Sequence, residues 1–119
     1  MPGLVQGTFF QNYTMGSAGP LLLTVTIGNA DPGGIIVTWG AQVLTAASGQ
    51  PLMVGTAPSD LRGQVIYVTS TVFDANKNSN STDVHYDFGG GPLPGSYDSA
   101  VTVPNDGDVA IHTLAIYLY

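Results

Sequence analysis

Cysteine and glutamate are absent from this chain of 119 residues, and basic residues are nearly absent too. Without cysteine, neither a disulfide nor a thiolate zinc site can stabilise the fold. Cysteine usage therefore does not indicate whether the protein resides in an oxidising or a reducing compartment. Lys77 and Arg62 are the only basic residues against eight aspartates, so the formal net charge is −6. Two cations are too few to neutralise a nucleic-acid backbone or to hold the chain on an anionic membrane. We therefore expect no nucleic-acid partner.

Long apolar runs are missing as well. No stretch approaches the roughly 18 apolar residues of a membrane span, and the first residues, MPGLVQGTFF, lack a basic region followed by an apolar segment. We expect no membrane insertion and a soluble chain, and the sequence leaves its compartment open. The length predicts one domain over residues 1–119.

The lack of Glu, Lys and Arg also removes the usual residues of exposed helix faces. Short apolar runs rich in Val and Thr are instead separated by Gly, Pro, Asn and Asp, which is typical of strands and turns. We predict a single antiparallel β-sandwich of immunoglobulin-like or jelly-roll type, with at most one turn of helix near Leu61. Eight strands are expected, over residues 5–13, 20–29, 34–45, 51–55, 63–74, 82–88, 97–103 and 109–119.

Turn residues predict how some of these strands connect. Pro32 and Gly33 lie between two β-rich runs, which predicts a hairpin in which Ile27 faces Ile35. The segment VPNDGDVA predicts a second hairpin with Asp106 and Gly107 at its turn. The glycine-rich run FGGGPLPGS, residues 88–96, is predicted to be a long crossover between the sheets.

The stretch FDANKNSNSTD, residues 73–83, resembles a calcium loop in its spacing of oxygen-bearing side chains. An EF-hand loop that starts at Asp74 requires Gly at its sixth position and Glu at its twelfth, but Ser79 and His85 stand there. Lys77 adds a cation inside the loop. We predict an Asn-rich hairpin turn that does not bind calcium tightly.

The next segment, DVHYDF, alternates apolar and polar residues, so the polar set should face away from the core. A histidine and carboxylates at this spacing could ligate a metal ion, but a flat strand holds the outer two aspartates too far apart to share one ion easily, and an acidic solvated face explains all three residues. We predict no metal site and no cofactor. The alternative metal ligands are Asp83, His85, Asp106 and Asp108. His112, in an apolar strand, is predicted to be a hydrogen-bonded core or interface histidine.

Motifs of catalysis are missing. The chain has no G-x-S-x-G turn, no H-E-x-x-H segment, no phosphate-binding G-x-x-x-x-G-K loop and no cysteine nucleophile. We therefore expect a non-catalytic protein.

The first functional hypothesis is a lectin-like binding module that recognises carbohydrate as a homo-oligomer. Short polar side chains on loops can bond sugar hydroxyls while an aromatic ring stacks on the sugar. Trp39, Tyr97 and Asp98 are the candidate ligand-binding residues, although Trp39 alternates with Ile35 and Val37 and so is expected to share their core-facing side.

The alternative hypothesis is a structural, self-assembling subunit of an oligomer, fibre or appendage. The final segment, VAIHTLAIYLY, is apolar on both faces of a strand, so its second face needs a cover. We assign Leu114, Ile116 and Leu118 to the core. Tyr117 and Tyr119 are assigned to a contact with another copy, because tyrosine is enriched at interfaces.

Overall fold

A computed structural model describes residues 3–14, 21–29, 31–55, 62–75, 80–90 and 95–119. Within these ranges the chain forms nine strands and no helix. The strands are β1 (Leu4–Tyr13), β2 (Leu21–Ile27), β3 (Gly33–Trp39), β4 (Gln42–Ala46), β5 (Pro51–Val54), β6 (Val65–Phe73), β7 (Ser81–Gly89), β8 (Gly95–Thr102) and β9 (Val109–Leu118). Leu61, where a helical turn was expected, lies outside the described residues.

The strands form two packed sheets, which confirms the predicted β-sandwich. The five-stranded sheet has the order β1-β9-β6-β3-β4, and the four-stranded sheet has the order β5-β2-β7-β8. Strand β1 runs parallel to β9, whereas every other pairing between described strands is antiparallel. The prediction of an antiparallel sandwich is therefore correct except at this edge, where the first strand pairs with the last.

The core lies between the two sheets and is built by the period of two in each strand. In β9 the inward residues Leu114, Ile116 and Leu118 have no exposed area, as predicted. In β7 the inward residues Val84, Tyr86 and Phe88 are likewise buried. Burial of one such side chain contributes about 1.5–3 kcal/mol, so this alternation fixes which side of each strand faces inward.

The predicted strand at residues 34–45 is wrong, because the structure divides it into β3 and β4. The two strands form an antiparallel hairpin in which Trp39 pairs with Gln42. Gly40, at the turn, has a φ of +53°, a conformation that glycine adopts without a steric penalty. The residues on both sides of Gly40 have high strand propensity, so the sequence pattern does not separate a tight turn at this glycine from one longer strand.

The predicted connections between strands are also wrong. Strands β2 and β3 belong to different sheets, so Pro32 and Gly33 cross between sheets and Ile27 pairs with Val84 rather than with Ile35. The segment at Asp106 joins β8 and β9, which also lie in different sheets. The predicted Asn-rich hairpin after Asp74 is wrong for the same reason, because β6 and β7 belong to different sheets, and residues 76–79 of that segment lie outside the described residues. Conversely, the glycine-rich run connects β7 and β8, which are neighbours in one sheet.

Turn residues identify where the chain reverses but not which sheet it enters, and this explains the errors. Gly33 is a clear case, because a Cβ atom there would collide with the carbonyl oxygen of Thr71 on the neighbouring strand. Glycine is required at position 33 because the backbone approaches β6 closely there, and not because the chain forms a hairpin. No helix among the described residues is long and apolar enough to cross a membrane.

Candidate functional site

His85 lies on the outer face of the four-stranded sheet between two carboxylates. Its Nδ1 atom is 2.6 Å from Oδ1 of Asp98 on β8, and its Nε2 atom is 3.0 Å from Oδ1 of Asp87 on the same strand. The register explains both contacts, since His85 pairs directly with Asp98 and stands two residues from Asp87. All three side chains are exposed enough to meet solvent, at 43%, 54% and 77% for His85, Asp87 and Asp98.

The two acids favour the protonated imidazole. The hydrogen bond to Asp98 is the main cause that raises the pKa of His85 above its usual value, and Asp87 adds to it, while partial burial opposes them. With a proton on each nitrogen, the ring donates to both carboxylates. Both nitrogens then point at different acids, so the ring and these two acids do not converge on one metal ion.

The predicted alternative metal ligands do not meet in one place. Asp83 accepts a hydrogen bond of 2.5 Å from the Asn29 amide and one of 3.2 Å from the Ser81 hydroxyl, away from the acids that flank His85. Asp106 and Asp108 lie in the β8–β9 connection. Within the described part of the chain, no three His, Asp or Glu side chains form a group that could hold a metal ion.

Asp108 has a structural task at that connection. Its Oδ1 accepts a 2.7 Å hydrogen bond from the backbone N–H of Gly3, and its Oδ2 accepts a 3.0 Å bond from that of Asn105. The side chain is buried, and both of its oxygens are occupied by backbone donors. Asp108 therefore ties the segment before β1 to the β8–β9 turn.

His112, unlike the exposed His85, is buried between the two sheets, and it is hydrogen-bonded as predicted. Its Nδ1 is 2.7 Å from the Ser99 hydroxyl, and its Nε2 is 2.8 Å from the Thr82 hydroxyl. Thr82 donates to the carbonyl oxygen of Val101 at 2.7 Å, so it accepts the Nε2 proton of His112. Nδ1 then accepts from Ser99, whose oxygen can accept the hydroxyl proton of Tyr86 at 3.1 Å.

This chain of hydrogen bonds joins the two sheets and keeps His112 neutral. Burial lowers the pKa of His112 to about 4, although Asp83 raises it slightly. Burial also raises the pKa of Tyr86, while its hydrogen bond to Ser99 and the nearby Ser70 hydroxyl oppose the shift. Ser70 itself forms no hydrogen bond of good geometry. Ser99 and His112 are in the contact that a nucleophile and its base would make, but both are buried and the pair has no access to substrate.

The predicted ligand-binding residues are not brought together. Trp39 lies at the end of β3 in the five-stranded sheet, half-buried against the core. Tyr97 lies on β8, an edge of the other sheet, where its ring contacts Phe9 and Tyr86. Asp98 follows Tyr97 but points outward to His85. Strand β8 packs near β1, at the opposite side of the sandwich from β3 and β4.

The outer face of the five-stranded sheet carries no charged residue, and we call it the uncharged face. It consists of every second residue from Leu4 to Asn12, Gly34 to Thr38, Val43 to Thr45, Val65 to Phe73 and Val109 to Tyr117. Large side chains on it are exposed to solvent, with Phe10 at 75%, Val43 at 66% and Tyr67 at 47%. The described aspartates all lie elsewhere.

Tyr117 and Tyr119, the predicted contact residues, are exposed at the end of this sheet at 44% and 53%. Their rings stack on each other with centroids 6.0 Å apart. Tyr117 pairs with Asn12 on one side and Val65 on the other, and Ala115 stands in register between Phe10 and Tyr67. The exposed rings therefore extend across neighbouring strands of one surface.

The chain matches no protein-family model, no curated protein and no solved structure.

The sequence does not predict two groups of residues. Asp87 is expected only to belong to a solvated face, and its shared contact with His85 and Asp98 depends on the pairing of β7 with β8. Phe10, Tyr67 and Val43 were not identified as exposed, because the outward side of β1, β6 and β4 becomes one surface only when the strand order is known. The absence of Asp, Lys and Arg from their segments was the available signal.

Proposed function

We propose that this protein is a self-associating β-sandwich subunit that packs against other copies through the uncharged face. The observation that supports the proposal is the combination of exposed Phe10, Tyr67 and Tyr117 with a complete lack of charge over five strands. Contiguous exposed apolar surface on a soluble domain is a feature of interaction sites, and aromatic residues are enriched in their centres.

The charge of the chain supports a second copy as the occupant. The chain carries a formal net charge of −6, so two copies repel each other wherever their acidic surfaces meet. The outer face of the four-stranded sheet holds Asp83, Asp87 and Asp98, which would face like charges in a symmetric contact. The uncharged face avoids this repulsion, and an isologous contact there excludes water from the rings on both copies.

The test is the molar mass of the full chain in solution, measured by size-exclusion chromatography with light scattering over a range of concentrations. We expect an oligomer for the unmodified chain and a monomer for Tyr67→Asp, which places a charge near the middle of the uncharged face. Ala100→Asp is the matched control, because Ala100 is exposed on the outer face of the other sheet.

Circular dichroism shows whether each variant is folded. A monomer at high micromolar concentration for the unmodified chain would contradict the proposal. Equal masses for Tyr67→Asp and the unmodified oligomer would show that the contact lies on another surface.

We also propose a second function, carbohydrate binding, in which the uncharged face supplies the aromatic platform. It is supported by Tyr67 and Tyr117, whose exposed rings have Thr38 and Asn12 as their neighbours across the strands. Such a surface offers stacking together with hydroxyl and amide groups. Trp39 and Tyr97 face the core, so they are less suited to stacking on a sugar.

A panel of soluble oligosaccharides, titrated against intrinsic fluorescence, tests this second function. We expect saturable binding that Tyr67→Ala weakens at least about tenfold, the loss of roughly 1.4 kcal/mol of stacking. No tyrosine among the described residues is exposed on the outer face of the four-stranded sheet, so a matched tyrosine control does not exist there. Met53→Ala, which removes an exposed large side chain from that face, is the control instead. Binding that Tyr67→Ala and Tyr117→Ala leave unchanged would place the sugar elsewhere.

A further inference from the structure

Strand β1 forms one edge of the five-stranded sheet and pairs along only one side of its backbone. On that side it follows β9 in a continuous parallel register from Leu4 to Tyr13. On the other side, no strand within the described ranges pairs with it. An edge of this kind presents a row of backbone N–H and C=O groups to which another chain can bind.

Two hydrogen bonds show which residues of β1 present these groups. The carbonyl oxygen of Gly3 accepts a 2.8 Å bond from the N–H of Val109. The carbonyl oxygen of Tyr13 accepts a 3.2 Å bond from the N–H of Tyr119. The N–H and C=O of one strand residue point to the same side, so the odd-numbered residues bond to β9 and the even-numbered ones point to the open edge. These even residues are Leu4, Gln6, Thr8, Phe10 and Asn12.

The four edge strands that the structure describes differ in how well they are protected from another chain. Strand β4 has five residues, and β5 has four and begins at Pro51. Strand β8 carries Asp98 on its outer side, so a second β8 beside it would bring like charges together. Strand β1 has ten residues, LVQGTFFQNY, without a charge or a proline. Short length, proline and charge are the common protections of an edge, and β1 has none of them.

The sequence of β1 also fits a second copy of itself. Two copies related by a two-fold axis pair in the antiparallel direction, and side chains on one face then lie opposite side chains on the same face. With Thr8 opposite Thr8, Gln6 lies opposite Phe10. Leu4 then lies opposite Asn12, so every even residue of β1 has a partner for its N–H and C=O groups. A Thr–Thr pair across two strands is itself favourable.

We propose that the open edge of β1 pairs antiparallel with the β1 edge of a second copy. The inference rests on the proposed self-association, because backbone hydrogen bonds at an edge replace bonds to water and stabilise a contact only modestly by themselves. An isologous contact between two uncharged faces closes a dimer. A second isologous contact at the edge links such dimers to one another, so the assembly becomes an open fibre.

Thr8→Pro tests the edge contact without placing a charge on the uncharged face. Proline removes the N–H of residue 8 and puts its ring where the partner strand would lie, but the bonds between β1 and β9 use the odd residues and remain. Light scattering over a range of concentrations should give a molar mass that rises without a plateau for the unmodified chain. For Thr8→Pro the mass should level off at a dimer. Thr8→Val keeps the N–H and should behave as the unmodified chain does.

Hydrogen exchange of the backbone amides, quenched and read by NMR, tests the same pairing without a proline variant. In the assembled unmodified chain, the N–H groups of Gln6 and Phe10 should exchange at least about tenfold more slowly than in monomeric Tyr67→Asp. The N–H groups of Gly7 and Phe9 bond to β9 in both proteins, so their exchange should change less. This alternation between even and odd residues is specific to an edge contact, because packing on the uncharged face adds no hydrogen bond to the even amides.

The outcomes separate the edge contact from the contact through the uncharged face. A dimer plateau for the unmodified chain, a mass that keeps rising for folded Thr8→Pro, or even amides that exchange equally in assembled and monomeric protein would overturn the edge contact and leave the proposed function intact. If Tyr67→Asp assembles as the unmodified chain does while Thr8→Pro does not, the edge contact stands and the proposed contact through the uncharged face fails. A monomeric unmodified chain would overturn both.

Discussion

The space between the sheets and the outer face of the four-stranded sheet each hold one histidine, and the two have opposite properties. His112 is completely buried between neutral hydroxyl groups, and burial lowers its pKa to about 4. His85 lies in solvent between Asp98 and Asp87, which raise its pKa. The same side chain is therefore a neutral link between sheets in one region and a more basic group on an acidic surface in the other.

Tyrosine differs between regions in the same way. Tyr86 has no exposed area and its hydroxyl contacts Ser99, whereas Tyr67 and Tyr117 are exposed on the uncharged face. The buried hydroxyl groups of Tyr86, Ser99 and Thr82 take part in one hydrogen-bond network with His112, whereas Tyr67 and Tyr117 remain exposed to solvent. This contrast shows why a change on the two sides of one strand should have different consequences.

The largest difference is expected between the two sides of β9. Leu114→Asp places an unpaired charge in the core, so we expect a loss of more than about 4 kcal/mol and an unfolded domain. Tyr117→Asp places the same charge in solvent on the uncharged face, so the domain should stay folded while its assembly state falls. Circular dichroism and light scattering on both variants measure the two outcomes. A folded Leu114→Asp protein would refute the assignment of the inner face.

The next largest effect is expected at His112 itself. His112→Leu leaves the hydroxyls of Ser99 and Thr82 without their partner, which should lower the free energy of unfolding by about 2–4 kcal/mol. Urea denaturation measures this loss. The double variant His112→Leu with Ser99→Ala removes one unpartnered hydroxyl but leaves the buried hydroxyl of Tyr86 without its partner, so it should recover little of the stability. A single variant as stable as the unmodified chain would mean that the network is not a stabilising link.

Acid should weaken the interior through the same histidine. The pKa of His112 is lower in the folded chain than the usual value near 6.5, so the unfolded chain binds the proton more tightly. The stability associated with neutral His112 is complete above about pH 6.5 and falls by up to about 3 kcal/mol as the pH drops toward 4. Urea denaturation at several pH values measures the slope. His112→Leu should lose this part of it, and an unchanged slope would assign the acid sensitivity to other groups.

The smallest effect is expected on the outer face, and it has the opposite sign. The raised pKa of His85 favours the folded chain below the usual histidine value, and this contribution disappears as the pH rises through the folded pKa. Because all three side chains are largely exposed, the contribution should stay below about 1 kcal/mol. Asp98→Asn should lower the pKa of His85, as followed by NMR titration, while Asp83→Asn should change it less. A His85 pKa that Asp98→Asn leaves unchanged would show that the contact between His85 and Asp98 does not form in solution.

Alternation within single strands was predictable wherever polar and apolar residues took turns. The segment DVHYDF gave the inward side of β7 correctly, and VAIHTLAIYLY separated Leu114, Ile116 and Leu118 from Tyr117. The period of two is a local property of extended backbone, so no knowledge of neighbours is needed. The apolar residues around His112 in its own strand predict that this histidine is buried and hydrogen-bonded. They do not predict its partners, Thr82 and Ser99, which are remote in sequence.

Which strands are neighbours depended on contacts that are remote in sequence. The turn residues at Pro32 and Asp106 predict hairpins, yet each turn carries the chain to the other sheet. The glycine-rich run before β8 predicts a crossover, yet it connects neighbouring strands of one sheet. The pairs His85–Asp98 and His112–Ser99 arise only from those arrangements. None of the groups involved has a sequence spacing that predicts its partner.

The amino-acid sequence is sufficient to predict short alternating strands, each with an inner and an outer side, in an acidic chain without cysteine. This follows because charge, propensity and the period of two are properties of each segment alone. The order of the strands in the folded chain is needed to show that five uncharged outer sides lie next to each other and that His85 lies between Asp87 and Asp98. Sheet order is set by how the two hydrophobic faces pack together, and that packing involves the whole chain at once.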